Sequence, residues 1–98
     1  MTAYEIESAS LTGGQCPVWT PVKHFRHSAV RPMRYGCRAK ATAAMRDTAK
    51  LYQPDLLLRL VRVGRKGRAV VAAITAVMAR GGEAIVTDET TLRTMRCL

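Results

Sequence analysis

Cysteine and histidine side chains that could ligate a metal ion occur between residues 16 and 37. Cys16, His24, His27 and Cys37 follow the order C-x7-H-x2-H-x9-C. That order lacks the close cysteine pair that anchors ordinary zinc modules, so we predict no metal site. Three cysteines separated by 21 and 60 residues also form no disulfide framework. They favour a reducing compartment, either cytoplasm or an organelle matrix.

The motifs of nucleophilic and phosphate-transfer catalysis are missing from the sequence. Gly64–Gly67 lacks the G-x-x-x-x-G-K-[ST] frame of a phosphate-binding loop, and the adjacent His27 and Ser28 have no G-x-S-x-G turn. The seven carboxylates form no recognisable acid–base pair. We therefore predict that the protein is not an enzyme and uses no cofactor.

Positive charge is the most informative feature of the chain. The formal net charge is +9, from 16 basic against 7 acidic residues, and residues 23–68 hold thirteen of the basic residues with two acids. Twelve of the sixteen are arginines, whose planar fork of donors suits phosphate. Such an excess predicts a polyanionic partner, with RNA favoured, although a solvated face is the structural alternative.

Two basic segments carry this prediction. Lys23–Lys40 contains no acid, and in an extended form it can follow a phosphate backbone while Phe25 or Tyr35 stacks on a base or packs on the core. Arg59–Arg68 presents cations on one helix face or at a hairpin tip. The residues predicted to contact nucleic acid are Lys23, Arg26, Arg31, Arg34, Arg38, Arg59, Arg62, Arg65, Lys66 and Arg68.

Periodicity predicts elements at both ends of the chain and one central helix. Ala3–Ser8 alternates apolar and polar residues, which indicates a strand able to pair with a second strand over Glu83–Thr87. Asp88 is placed to cap a last short helix. Cys37–Tyr52 is the clearest helix, with a buried stripe at Ala41, Met45, Ala49 and Tyr52, and Pro54 ends it.

Residues 55–79 fit two different structures. As helices, 56–63 and 68–80 would be separated by glycine, and the Gly81-Gly82 stop slightly favours this arrangement. As strands, 56–63 and 68–75 would form a hairpin around a four-residue loop, Gly64–Gly67. β-branched residues favour strands here, whereas interleaved alanines favour helix.

Leu58–Arg68, L-R-L-V-R-V-G-R-K-G-R, resembles the opening strand and basic turn of the sixteenth small-subunit ribosomal protein family. In that family a proline, an aromatic residue and a strand packed on ribosomal RNA follow, where this chain has Ala69-Val70-Val71. The resemblance implies that a turn of this kind is compatible with RNA contact.

The predicted fold is α+β, a single domain over residues 1–98. It has about three short helices, a short two-stranded pairing of the N- and C-terminal strands, and an irregular basic extension over residues 11–36. The core is thin, because Leu, Ile, Val and Phe together supply only 21 of 98 residues. The longest largely apolar run, residues 69–79, is too short to cross a bilayer, so no membrane partner is predicted.

These features predict a non-catalytic RNA-binding protein. It would be a structural component of a ribonucleoprotein such as a ribosome, in contact with other proteins of a larger assembly. The alternative is a small accessory or inhibitory protein of the phage type, docking an acidic surface of a host protein or nucleoprotein complex.

Overall fold

The computed structural model describes residues 2–10, 17–26, 29–32, 34–51 and 55–98, with the backbone alone for residues 23–26 and 29–32. No helix in these ranges is both long and apolar enough to span a bilayer. In these ranges the elements are β1 Ala3–Ser10, β2 Thr20–Pro21, β3 Lys23–Arg26, β4 Ala29–Pro32, β5 Arg34–Tyr35, α1 Arg38–Lys50, β6 Leu56–Gly64, β7 Gly67–Thr75, α2 Ala76–Arg80 and α3 Glu89–Thr94.

A five-stranded antiparallel sheet forms the centre of this small mixed α/β domain. Its strands lie in the order β2-β1-β6-β7, and β5 also pairs with β1. β6 pairs with β1 along its length, from Ala3 opposite Val63 to Ser10 opposite Leu56. β3 and β4 form a separate two-stranded sheet.

The hairpin alternative for residues 55–79 is confirmed, and the preference for helix over 68–80 is wrong for residues 68–75. Only Ala76–Arg80 is helical. The β-branched residues of this segment pair across strands, and tertiary pairing of this kind overrides the helix propensity of its alanines. The connecting loop also has two residues rather than four, because Gly64 pairs with Gly67.

The predicted central helix is confirmed as α1, and it packs on one face of the sheet. Ala41, Met45 and Ala49 are fully buried, at the i, i+4, i+8 spacing of one helical stripe. They form one core with Ile6 and other apolar residues of β1, β6 and β7. Residues 52–54, where the sequence predicted the last stripe residue and the stop, lie outside the described residues.

A second, smaller core lies on the other face of the sheet. Leu57 precedes Leu58 on β6, and successive strand residues point to opposite faces. Leu57 packs with Ala73, Leu92 and Cys97, whereas Leu58 belongs to the core under α1. The sheet therefore lies between α1 with α2 on one side and α3 on the other.

The predicted pairing of the two terminal strands is wrong. β1 pairs with β2, β5 and β6, and Val86 instead forms an isolated bridge with Ala73 of β7. β1 and β6 pair over eight residues, and this register places Ile6 opposite Leu60 on the face that α1 covers. Because β1 pairs with β6 in this way, the 83–87 segment lies at the other edge of the sheet, beside β7.

Residues 11–36 are partly regular where the structure describes them. They contain β2, β3, β4 and β5, and the predicted irregular extension is corrected to that extent. Val22 is buried, and its N–H donates a 2.9 Å hydrogen bond to the carbonyl of Ile6. This bond holds the chain between β2 and β3 against β1. Residues 11–16, 27–28 and 33 lie outside the described residues.

The predicted cap of the last helix is confirmed. The Asp88 carboxylate accepts a 2.8 Å hydrogen bond from the Thr91 N–H, and this bond lowers the pKa of Asp88. At the other end, Arg96 has φ 62, while the Cys97 N–H donates to the Leu92 carbonyl at 2.9 Å. This closure is a Schellman motif, which normally has glycine at the left-handed position.

Replacing Arg96 by glycine should stabilise the protein by roughly 0.5–1 kcal/mol, because glycine adopts a positive φ without the steric cost of a Cβ atom. Urea unfolding followed by circular dichroism measures the change. Arg93→Gly, inside α3, is the control, and it should destabilise by a similar amount. A destabilised Arg96→Gly variant would contradict the prediction.

Candidate nucleic-acid interface

The β6–β7 hairpin ends in a two-residue turn that presents basic side chains. Gly67 has φ +111, a conformation that residues with a Cβ atom rarely adopt. Glycine at this position lets the chain reverse direction immediately after Arg65 and Lys66. Both side chains are exposed. The turn is therefore the structural reason that two cations stand together at one end of the sheet.

Arg62, Arg65 and Lys66 form what we call the hairpin-tip cluster. All three are exposed, and with Thr2 they line a shallow hollow of about 250 Å³. Within the described part of the chain none of the three forms an ion pair with a carboxylate. Their positive charge is thus available to a ligand.

A row of side chains crosses the sheet beside this cluster. Tyr35 lies opposite Tyr4, Tyr4 lies opposite Arg62, and Arg62 lies opposite Ala69. Residues directly opposite one another in antiparallel strands share a face. Both tyrosines are half-buried and contact the core under α1, so each keeps part of its ring exposed. Sequence reasoning missed Tyr4 because its neighbours are set by strand pairing.

Arg38, the first residue of α1, lies on the same side of the sheet. Its Nη2 atom donates a 3.5 Å hydrogen bond to the carbonyl of Val71. Arg38 lines one hollow beside Ala69, and Arg62 lines another. The structure therefore brings four of the predicted residues to one end of the molecule, namely Arg38, Arg62, Arg65 and Lys66.

Arg59 and Arg68, also predicted to contact nucleic acid, instead form ion pairs within the protein. The guanidinium of Arg59 lies 2.7 Å from the Glu7 carboxylate and donates to the Cys97 carbonyl at 3.0 Å. Arg68 bridges Glu5 and Glu7, with both N–O distances 3.0 Å.

An aromatic ring completes this ion-pair network. The Trp19 ring centroid lies 4.2 Å from the guanidinium carbon of Arg59, which is a cation–π geometry. The Arg59 side chain is only 19% exposed. Its charge is therefore offset by a carboxylate inside the protein.

The other predicted residues lie on β3, β4 and β5. Lys23, Arg26 and Arg31 belong to the β3–β4 sheet, with Arg31 opposite His24, and their side chains lie outside the description. Arg34 of β5 is exposed and lies directly opposite Glu5 of β1. It therefore shares a face with the Arg68–Glu5 pair rather than with Arg62.

The cysteines differ sharply in environment. Cys37 is exposed at the start of α1, where the nearby backbone N–H groups of Lys40 and Ala39 lower the pKa of its thiol. Cys97 is buried, which raises its thiol pKa to about 11. Among the side chains described, no three potential metal ligands come together, and Cys16, His24 and His27 fall outside that set.

Comparisons of the chain with protein-family models, with curated proteins and with solved structures each found no match. Function is therefore inferred from the chemistry of the surface.

Proposed function

We propose that the chain is a non-catalytic RNA-binding protein and a structural component of a ribonucleoprotein. The hairpin-tip cluster carries this proposal, because it holds three exposed cations that no carboxylate neutralises within the described residues. Arginine forks and a lysine on a rigid two-residue turn are suited to contact successive phosphates of a backbone.

The distribution of acids supports this assignment. Glu5 and Glu7, on the strand next to β6, are both taken up by Arg59 and Arg68. Those pairs lie on the sheet face opposite Arg62, because Arg59 and Arg62 are an odd number of residues apart on one strand. Positive charge on the Arg62 side is consequently not reduced by these two acids, which favours attraction of a polyanion.

The half-buried tyrosines suggest how an unpaired base would be held. Tyr4 lies opposite both Tyr35 and Arg62 and is half-buried, so a partly exposed aromatic side chain adjoins a guanidinium suited to bind phosphate. Stacking of bases on aromatic side chains is typical of single-stranded RNA recognition. Single-stranded segments are therefore the expected target, with little sequence preference.

The test is the salt dependence of binding to a single-stranded oligouridylate, followed by fluorescence anisotropy. If Arg38, Arg62, Arg65 and Lys66 each contact a phosphate, the slope of log K against log salt should be about −3. A slope near zero, or no binding at low salt, would overturn the proposal.

An acidic protein surface is the other class of partner for the same cations. Polyglutamate at the same charge concentration as the RNA serves as the competitor. RNA should bind more tightly, because arginine forks pair with phosphate and because polyglutamate has no bases to stack. If polyglutamate displaces the RNA completely at equal charge, a docking function on an acidic protein replaces RNA binding.

A further inference from the structure

Part of the outer edge of β7 is unpaired, and the part next to it forms a bridge with another segment of the chain. β7 ends the strand order of the main sheet, and on its outer side Ala73 exchanges two 2.9 Å hydrogen bonds with Val86. Among the residues that the structure describes, no strand pairs with the outer side of 67–72. A register shift opposite Leu60 and Val61 leaves Val71 without a partner on β6, so an added strand would pair regularly only on either side of that bulge. An unpaired edge is a template for another strand.

A groove of about 580 Å³ runs beside this edge, and we call it the β7 edge groove. Val70 and Val71 of β7 line its floor, Arg38 lines the α1 side, and Leu92 and Leu98 line the α3 side. Leu98 is 53% exposed. The groove therefore offers a strand edge together with one cationic and one apolar wall.

The backbone of the groove floor is weakly occupied. The Val71 carbonyl accepts its hydrogen bond from Arg38 at 3.5 Å, near the limit for such a bond. A backbone N–H of an added strand would approach closer, near the 2.9 Å of the Ala73–Val86 pair. Exchange of the long contact for a strand bond would release the Arg38 guanidinium toward the incoming side chains.

Charge in the groove identifies the partner. Arg68 is paired with Glu5 and Glu7, and Glu89 is paired with Arg93. Arg38 has no carboxylate partner in the described ranges, so it is the lining side chain whose charge no ion pair offsets. A second copy, with net charge +9, would bring arginines against arginines. Like-charge contact of this kind disfavours self-pairing.

We propose that the β7 edge groove binds an extended segment of another protein that alternates acidic and apolar residues. The segment adds to β7 as a further strand, with main-chain hydrogen bonds supplying affinity and alternate side chains supplying specificity. Its acidic side chains face Arg38, and its apolar side chains contact Leu92 and Leu98. The peptide shares Arg38 with the proposed RNA contacts but uses no residue of the hairpin-tip cluster, so variants of that cluster separate the two.

A fluorescent peptide of about eight residues that alternates valine and glutamate, the length of one strand, is the probe. Anisotropy should show saturable binding to the full chain, and the amide signals of Val70 and Val71 should shift in NMR spectra. Arg38→Gln should weaken binding roughly fivefold, the value of one exposed charge pair. Lys50→Gln, an exposed lysine at the far end of α1, is the matched control and should leave binding unchanged.

Backbone pairing is tested with the same peptide methylated at alternate amide nitrogens, which keeps charge and side chains but removes strand donors. The methylated peptide should lose most of its affinity. Equal binding of the two peptides would overturn the proposal, and so would a stable dimer in sedimentation that excludes the peptide. Shifts of the same amides caused by oligouridylate instead of the peptide would also overturn it.

Leu98→Ser separates this proposal from RNA binding. It removes an exposed apolar contact without changing charge, so peptide affinity should fall roughly threefold while oligouridylate affinity stays the same. If Leu98→Ser leaves peptide affinity unchanged, the peptide does not contact Leu98, and the proposal is contradicted. Loss of oligouridylate binding alone, in any variant, bears only on the proposed function.

Discussion

Alanine substitution of Arg62, Arg65 and Lys66 together should weaken binding to single-stranded oligouridylate about a hundredfold near 0.1 M salt. Each phosphate contact contributes about 0.7 to the salt slope on a single strand, so three lost contacts should also reduce the slope by about 2. Anisotropy titrations at several salt concentrations measure both quantities. The substituted side chains are exposed, so the fold should be retained.

A second triple variant separates local contacts from net charge. Lys50, Arg93 and Arg96 are exposed and do not line the hollow at the hairpin tip, and replacing them by alanine removes the same formal charge. That variant should lose less than about threefold in affinity, since screening weakens attraction beyond roughly 10 Å. Equal losses in the two variants would mean that overall charge, and not the hairpin-tip cluster, holds the RNA.

Elements that depend on local sequence could be predicted. The stripe of Ala41, Met45 and Ala49 defines α1 without reference to any other segment, because helix periodicity is a property of consecutive residues. Asp88 likewise identifies the start of α3 through a hydrogen bond only three residues away. Gly64 and Gly67 correctly marked a possible turn.

Elements that depend on partners distant in the sequence could not be predicted. Ile6 lies opposite Leu60, and nothing local distinguishes that pairing from one with the 83–87 segment, which also has β propensity. The mixture of β-branched residues and alanines over residues 69–74 fits a helix or a strand until β6 provides a neighbour. Tertiary pairing then decides the structure, which is why a local signal, the Gly81-Gly82 stop, favoured the wrong choice.

The difference between local and long-range determinants also explains which site residues could be identified from the sequence. Clustered arginines correctly indicated a basic end, but a helix would place Arg59, Arg62 and Lys66 on one face. A strand places Arg59 and Arg62 on opposite faces. Only the pairing of β1 with β6 brings Glu7 beside Arg59, so composition could not show that Arg59 and Arg68 are neutralised.

The Glu7 carboxylate connects two arginines inside the protein, and its replacement should have a large effect on stability. Glu7→Gln keeps the shape of the side chain but leaves Arg59 without a counter-charge, in a site where the two side chains are only 11% and 19% exposed. The free energy of unfolding should fall by about 2 kcal/mol, because a largely buried charge that loses its partner is costly. Tm should fall by roughly 10 °C for a domain of this size.

Glu89→Gln is the matched control, since it removes the same charge from a pair with Arg93 whose side chains are 77% and 71% exposed. Water already solvates those groups, so that change should cost less than about 0.5 kcal/mol. Thermal unfolding of both variants in low and high salt measures the difference. Equal shifts would mean that the Glu7–Arg59 pair is solvated like the surface pair. A large loss at Glu7 alone would show that the Glu7–Arg59–Arg68 network contributes to holding β1 against β6.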